Sequence, residues 1–299
     1  MVHSGAHALL ARQLTRRSFL ASWAVPLVAA RREGAGIPSR AERYSRDQFE
    51  HGGIELQVWT RGEGPLVFIL HEIDGLTENG FVLGDDLIDK GFSVAIPRFF
   101  GALGGAFPAG YVKACEFRGL FSCFDIADYG RIMPWIKALA RHRSGNGKFG
   151  AIGNCLTGAL PLLMMRSSRC VAPVLCQPAL PFQAPFMQGQ AAALGLSEID
   201  LDFAALRSSR DGVPILAIRY AEDGKCPRER FCTLRTRFAS SLQCLELPGD
   251  GHSTLIGHRS KVAFDEVVGF LTRQLYGKVW SPSQTCPCAP PPAAVEKRP

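Results

Sequence analysis

The stretch that decides the fold is Gly150-Ala151-Ile152-Gly153-Asn154-Cys155-Leu156-Thr157-Gly158. A short apolar run enters a glycine, one thiol follows, and a second glycine leads into the apolar segment from Leu156 to Met165. That is the pattern of a buried strand turning sharply into a helix with a single reactive side chain at the bend. Glycines flank such a bend because the residue at its apex takes a strained backbone conformation, and side chains beside it would collide. A cysteine there either packs as a small hydrophobe or reacts. The rest of the chain has to decide which.

Working outward, apolar strands alternate with amphipathic segments. Upstream, Ile54 to Trp59 alternates as a half-exposed strand, "RGEGP" turns the chain, and Leu66 to Leu70 reads as a buried strand. Phe81 to Lys90 has helical spacing and is stopped by Gly91, and Phe92 to Ile96 is a strand ended by Pro97. Residues 99–124, rich in Gly and aromatics, read as a loop over a site, and Asp125 to Arg141 as a helix with Pro134 at its start or at a kink. Lys148 to Ile152 is the strand that enters the quoted stretch. Downstream, Val171 to Cys176 is a strand, 178–212 an irregular excursion, Ile215 to Tyr220 a strand and Pro227 to Ala239 a helix. Leu242 to Leu247 is the last strand and Lys261 to Tyr276 a closing helix. This order predicts one α/β domain over residues 41–277, a mostly parallel central sheet flanked by helices on both faces.

The net charge of +7 points at first to an acidic partner. The charge is confined to the ends, however. Residues 1–40 hold six arginines and Glu33, residues 278–299 carry a surplus of two, and the body from 41 to 277 has no net charge. Nucleic-acid binding by the folded part loses its main support. Thr15-Arg16-Arg17-Ser18-Phe19-Leu20 precedes an uncharged run from Phe19 to Ala30, the form of a twin-arginine export signal. That run is short of the roughly 20 apolar residues needed to span a bilayer, so no stable membrane insertion is expected once the signal is removed. Residues 1–40 are therefore read as export signal and linker, and the Pro-rich residues 278–299 as a disordered tail. Ten cysteines without regular spacing do not form a recognisable disulfide framework or metal motif, and Cys170, Cys176 and Cys244 read as buried thiols.

A strand, a tight turn bearing a nucleophile and a helix make the nucleophile elbow of the α/β-hydrolases, in which acid and histidine follow the nucleophile in chain order. Both follow here. Asp223 lies just past the strand "ILAIRY" in "YAEDGKCP", and His252 follows the last strand in "LPGDGHSTL". Glu222 and Asp250 are rival acids; Asp250 shares the histidine's own loop and Glu222 points away from its neighbour's side. In this reading His252 takes the thiol proton or holds the thiolate as an ion pair, while Asp223 fixes the imidazole tautomer. An oxyanion formed by attack of Cys155 needs backbone N–H donors, expected from Leu156 and from Ile73 in the loop "HEIDGL".

Taken together, "HEIDGL", "GNGKFGAIGNCLTGAL", "YAEDGKCP" and "PGDGH" resemble the dienelactone hydrolase family of α/β-hydrolases, over about residues 50–275. The resemblance implies a Cys-His-Asp triad that opens a lactone or ester through an acyl-thiol intermediate. It further implies that Glu72 lies beside the thiol and helps to activate it when substrate binds; His71 is read as structural. It implies no cofactor and no metal. The chain departs from the family at Thr157, where a glycine is usual, and at Asn154, where an aromatic is common. Arg98 stands where an acid is usual. Ile256 occupies the place of an arginine that grips the substrate carboxylate, leaving Arg98, Arg118 and Arg259 as candidates for that contact. The sequence thus predicts a monomeric, exported hydrolase of small esters or lactones, with a non-catalytic binding protein of the same fold as the competing reading.

Overall fold

The computed structural model describes residues 38–99, 132–180 and 191–278 together with Cys288. The proposed export signal, Arg118, most of the glycine-rich and aromatic loop, residues 125–131 and most of the tail lie outside the described residues.

Eight strands form one sheet in the order β1-β2-β4-β3-β5-β6-β7-β8. They are β1 (Ser45–His51), β2 (Ile54–Arg61), β3 (Leu66–Leu70), β4 (Ser93–Pro97), β5 (Phe149–Asn154), β6 (Cys170–Cys176), β7 (Ile215–Tyr220) and β8 (Leu242–Leu247). The first two are antiparallel, and β3 to β8 run parallel. Six helices are described: α1 (Glu78–Asp89), α2 (Ile132–Ser144), α3 (Leu160–Met164), α4 (Glu198–Arg210), α5 (Arg228–Phe238) and α6 (Lys261–Tyr276).

Parallel strands need crossover helices, so both faces of this sheet are covered and its central strands are apolar throughout. Within β3, Leu66, Phe68 and Leu70 join one core layer, with Trp135 of α2, Leu162 of α3, Leu201 of α4 and Phe231 of α5. Val67 and Ile69 join the opposite layer, with Phe81 and Leu87 of α1 and Val267 and Phe270 of α6. The predicted bounds of β3, β7, β8 and α6 match the structure residue for residue.

Three elements depart from expectation. β1 is a polar edge strand, almost wholly exposed, and its "SRDQFEH" carries no apolar periodicity; it is set by the Gly52-Gly53 hairpin that pairs His51 with Ile54. The excursion 178–212 is not irregular throughout, since it contains α4. Ser197 caps that helix by accepting from the Asp200 backbone N–H, and Leu201, Ala204 and Ser208 face inward. The helix expected from Leu156 to Met165 is split into a 3-10 turn, Cys155–Thr157, and the short α3, because Pro161 stands at the first turn of the helix. Among the described residues, Cys288 of the tail forms a disulfide with Cys232 of α5.

Candidate active site

In-register pairing brings Leu70 of β3 level with Gly153 of β5, and Asn154 of β5 level with Cys176 of β6. The residues that follow these strands, and those after β7 and β8, therefore meet along one carboxyl edge of the sheet, where open α/β sheets bind ligands. Glu72, Cys155, Gln177, Asp223 and His252 are those residues.

Cys155 has φ +54°, the left-handed conformation that a side chain adopts only where surrounding structure enforces it. Thr157, in place of the usual glycine, supplies part of that enforcement. Its hydroxyl accepts from the Asn154 backbone N–H at 3.0 Å and lies 3.1 Å from the carbonyls of Leu70, His71 and Asn154, to one of which it donates. Asn154 Nδ2 donates to the same Leu70 carbonyl at 2.9 Å. These bonds tie the elbow to the Glu72 loop, which is what a polar pair at these two positions adds. The bend also leaves no space at its glycine. A Cβ on Gly153 would lie 2.3 Å from the Thr157 carbonyl and 2.6 Å from Pro161 Cδ, both parts of the chain that cannot swing aside. Gly153→Ala is expected to lower unfolding stability by about 1–3 kcal/mol or more, measured by urea denaturation, with a loss of under about 0.5 kcal/mol contradicting this packing.

The thiol is 5% exposed, and the backbone groups of Ile73 and Leu156 hydrogen-bond to it. The two donors expected to receive an oxyanion thus converge where the thiol now sits. Burial first, and then the negative charge of Glu72, push the thiol above its ordinary range, against the opposing influence of those N–H groups and of Lys225. Burial therefore favours the protonated thiol, the first of the two states that the sequence leaves open. The N-terminus of α3 adds little to offset this, because that helix has five residues and begins beyond the turn.

The acid and histidine are joined. His252 Nδ1 donates to Asp223 Oδ2 at 2.8 Å, and Asp223 Oδ1 accepts from the backbone N–H of Lys225 and Cys226 at 2.9 and 3.2 Å. Burial works against the Asp223 carboxylate, but the His252 contact and these two N–H groups outweigh it and hold the group below its ordinary range. Glu222 and Asp250 are exposed and take no part. His252 Nε2 is buried and has no hydrogen-bond partner among the described residues, so the expected contact between imidazole and thiol is not made in this resting arrangement. Gly251 keeps the histidine loop close, since a Cβ there would meet the Tyr220 ring at 2.7 Å.

Glu72 is buried, and burial raises it above the carboxylate range. Hydrogen bonds from Ser253 and Gln177 and the proximity of His252 oppose the shift, while Asp74 adds to it. His71 is structural, as expected. Its Nδ1 donates to the Glu72 carbonyl at 2.7 Å, its Nε2 accepts from the Phe99 N–H at 3.0 Å, and burial lowers it to about 4, so it stays neutral.

Arg98 lies at the end of β4, half-buried and lowered by burial and by the nearby Arg46 charge; no carboxylate of the described residues pairs with it. Arg259 is engaged by Asp86 and lies 4.8 Å from the Phe264 ring centroid, and Ile256 is buried. Sequence reasoning missed Gln177, Ser253, Thr254 and Lys225. Ser253 and Thr254 follow His252 directly and could have been flagged by that adjacency.

The architecture and the placement of the elbow define the α/β-hydrolase fold. No protein-family model matches the chain, and no curated relative matches it in sequence. Solved structures do. One is a protein assigned as a dienelactone hydrolase from Klebsiella pneumoniae subsp. pneumoniae MGH 78578. It is 13% identical at a TM-score of 0.56, covering 79% of this chain and 98% of that one. A 2,6-dihydroxy-pseudo-oxynicotine hydrolase is 15% identical at 0.55, covering 81% and 71%. Est1E from Butyrivibrio proteoclasticus is 14% identical at 0.52, covering 77% and 99%.

Proposed function

We propose that the chain is a hydrolase of small carboxylic esters or lactones that works through an acyl-thiol intermediate on Cys155. The observation that carries this reading is the thiol at a left-handed bend, on the N–H groups of Ile73 and Leu156, along the edge that also holds the Asp223–His252 pair. The names of its structural neighbours, a dienelactone hydrolase and a 2,6-dihydroxy-pseudo-oxynicotine hydrolase among them, support a hydrolase.

In this mechanism the ester carbonyl oxygen takes the two N–H donors, and the thiol leaves them and turns toward His252. Its proton passes to His252 Nε2, directly or by way of Glu72, and the sulfur attacks the carbonyl carbon. The tetrahedral oxyanion rests on Ile73 and Leu156, whose fixed donors are already in place. The C–O bond breaks as protonated His252 gives its proton to the leaving oxygen. Water, deprotonated by His252, then attacks the acyl-thiol; the C–S bond breaks and the sulfur recovers the proton. Arg98 and Arg118 are the proposed contacts for an acidic substrate group. Export is proposed from the paired arginines, and the Cys232–Cys288 disulfide suits an oxidising compartment.

A panel of activated short-chain esters and lactones tests the reading. Turnover that disappears in Cys155→Ala is expected. Saturable binding of the same compounds with no hydrolysis would favour the binding-protein reading instead.

A further inference from the structure

Gln177 has two properties that a residue kept only for packing does not need. It is completely buried, and it has φ +35°, the left-handed region, directly after β6. Its backbone N–H donates to the Ile218 carbonyl at 2.7 Å, which anchors the strained residue to β7. Both ends of its side-chain amide are then committed to the site. Nε2 donates to Glu72 Oε1 at 2.9 Å. Oε1 accepts from the Thr254 hydroxyl at 2.6 Å and from the Thr254 N–H at 3.2 Å. Thr254 stands two residues beyond His252 in the same loop. A glutamine suits this place because it offers one donor and one acceptor while remaining neutral.

We propose that Gln177 is the positioning residue of this site: its amide holds the Glu72 carboxylate against Cys155 and locks it to the loop that carries His252. The proposal deepens the hydrolase reading and rests on it for one of two readouts; the other needs no turnover. The groups that face Glu72 are the Cys155 and Cys176 thiols, Asp74, His252 and the Ser253 hydroxyl, with His71 neutral beside it. Ser253 and the Gln177 amide donate to the carboxylate, so they favour its charged form against burial. That charge adds to burial in favouring the protonated Cys155 thiol. Without the Gln177 donor, Glu72 stays neutral to higher pH, the thiol is repelled less, and the carboxylate is unavailable to receive a proton.

Two variants test this, Gln177→Met, which keeps the shape and removes the amide, and Gln177→Glu, which is isosteric and sets a second carboxyl against Glu72. Each is measured for ester kcat/KM and for the rate of Cys155 alkylation by iodoacetamide, both against pH, with thermal unfolding as the check on folding. In Gln177→Met the acid limb of kcat/KM is expected to move up by about one pH unit or more, the size of losing a hydrogen bond to a charged group. The alkylation plateau set by Glu72 ionisation should rise roughly tenfold per unit of that shift, so that turnover falls and alkylation rises in one pH window. Gln177→Glu should move both further in the same directions, and it carries the test alone if the methionine variant does not fold. Loosened packing would instead change both rates evenly across pH. Profiles that keep their wild-type inflections overturn the proposal. Absent turnover in wild type with a shifted alkylation profile would overturn the hydrolase reading and leave Gln177 in place. Normal turnover with unshifted profiles would do the reverse.

Discussion

Cys155→Ala is expected to lower kcat for a short-chain ester by about 10⁴-fold or more, leaving only the activity that the fixed donors of Ile73 and Leu156 give to attack by water. The loss should fall on kcat with KM within a few-fold, because the sulfur contributes to bond making and little to ground-state binding. The fold should persist, since the replaced side chain is small and the bend's geometry is held by Gly153, Asn154 and Thr157. Steady-state kinetics on folded variant protein checks this, and a variant within tenfold of wild type would remove Cys155 from the mechanism.

Asp223→Asn is expected to have a comparable effect, about 10⁴-fold on kcat, through the histidine tautomer. Asp223 Oδ1 accepts two backbone N–H bonds, so the asparagine oxygen must occupy that position. Its NH2 then faces His252 Nδ1, where Oδ2 now accepts. The imidazole can answer only by accepting at Nδ1 and carrying its proton on Nε2, which leaves no lone pair for the thiol. Because the side chain keeps its shape and its loop bonds, circular dichroism and the unfolding midpoint should change little. A kcat within tenfold of wild type would show that His252 is not the base.

The parts of the fold that were legible from the residues are those where burial leaves a plain signal. β3, β7 and β8 are apolar runs bounded by turn residues, and α6 lies between Ser260, which caps its start, and Gly277, which is left-handed at its end. What was not legible lacked such a signal. β1 is polar because it sits at the sheet edge in solvent, and α4 buries few residues while exposing Ile199 and Leu206, which blurs its period. Glu72 was singled out by the family resemblance, whereas Cys155, Asp223 and His252 were singled out because each follows a readable strand. Gln177 also follows one, yet a left-handed backbone at a glutamine and an amide shared between two loops belong to the folded chain, not to spacing.

Intact-mass spectrometry after rapid acid quench, with an ester whose acyl group is slow to leave sulfur, tests the role of Cys155 most directly. A mass increase of one acyl group is expected, mapped by peptide sequencing to Cys155, released by hydroxylamine and missing from Cys155→Ala. Ester turnover without that adduct, or with the acyl group on any other side chain, would contradict the thiol as nucleophile.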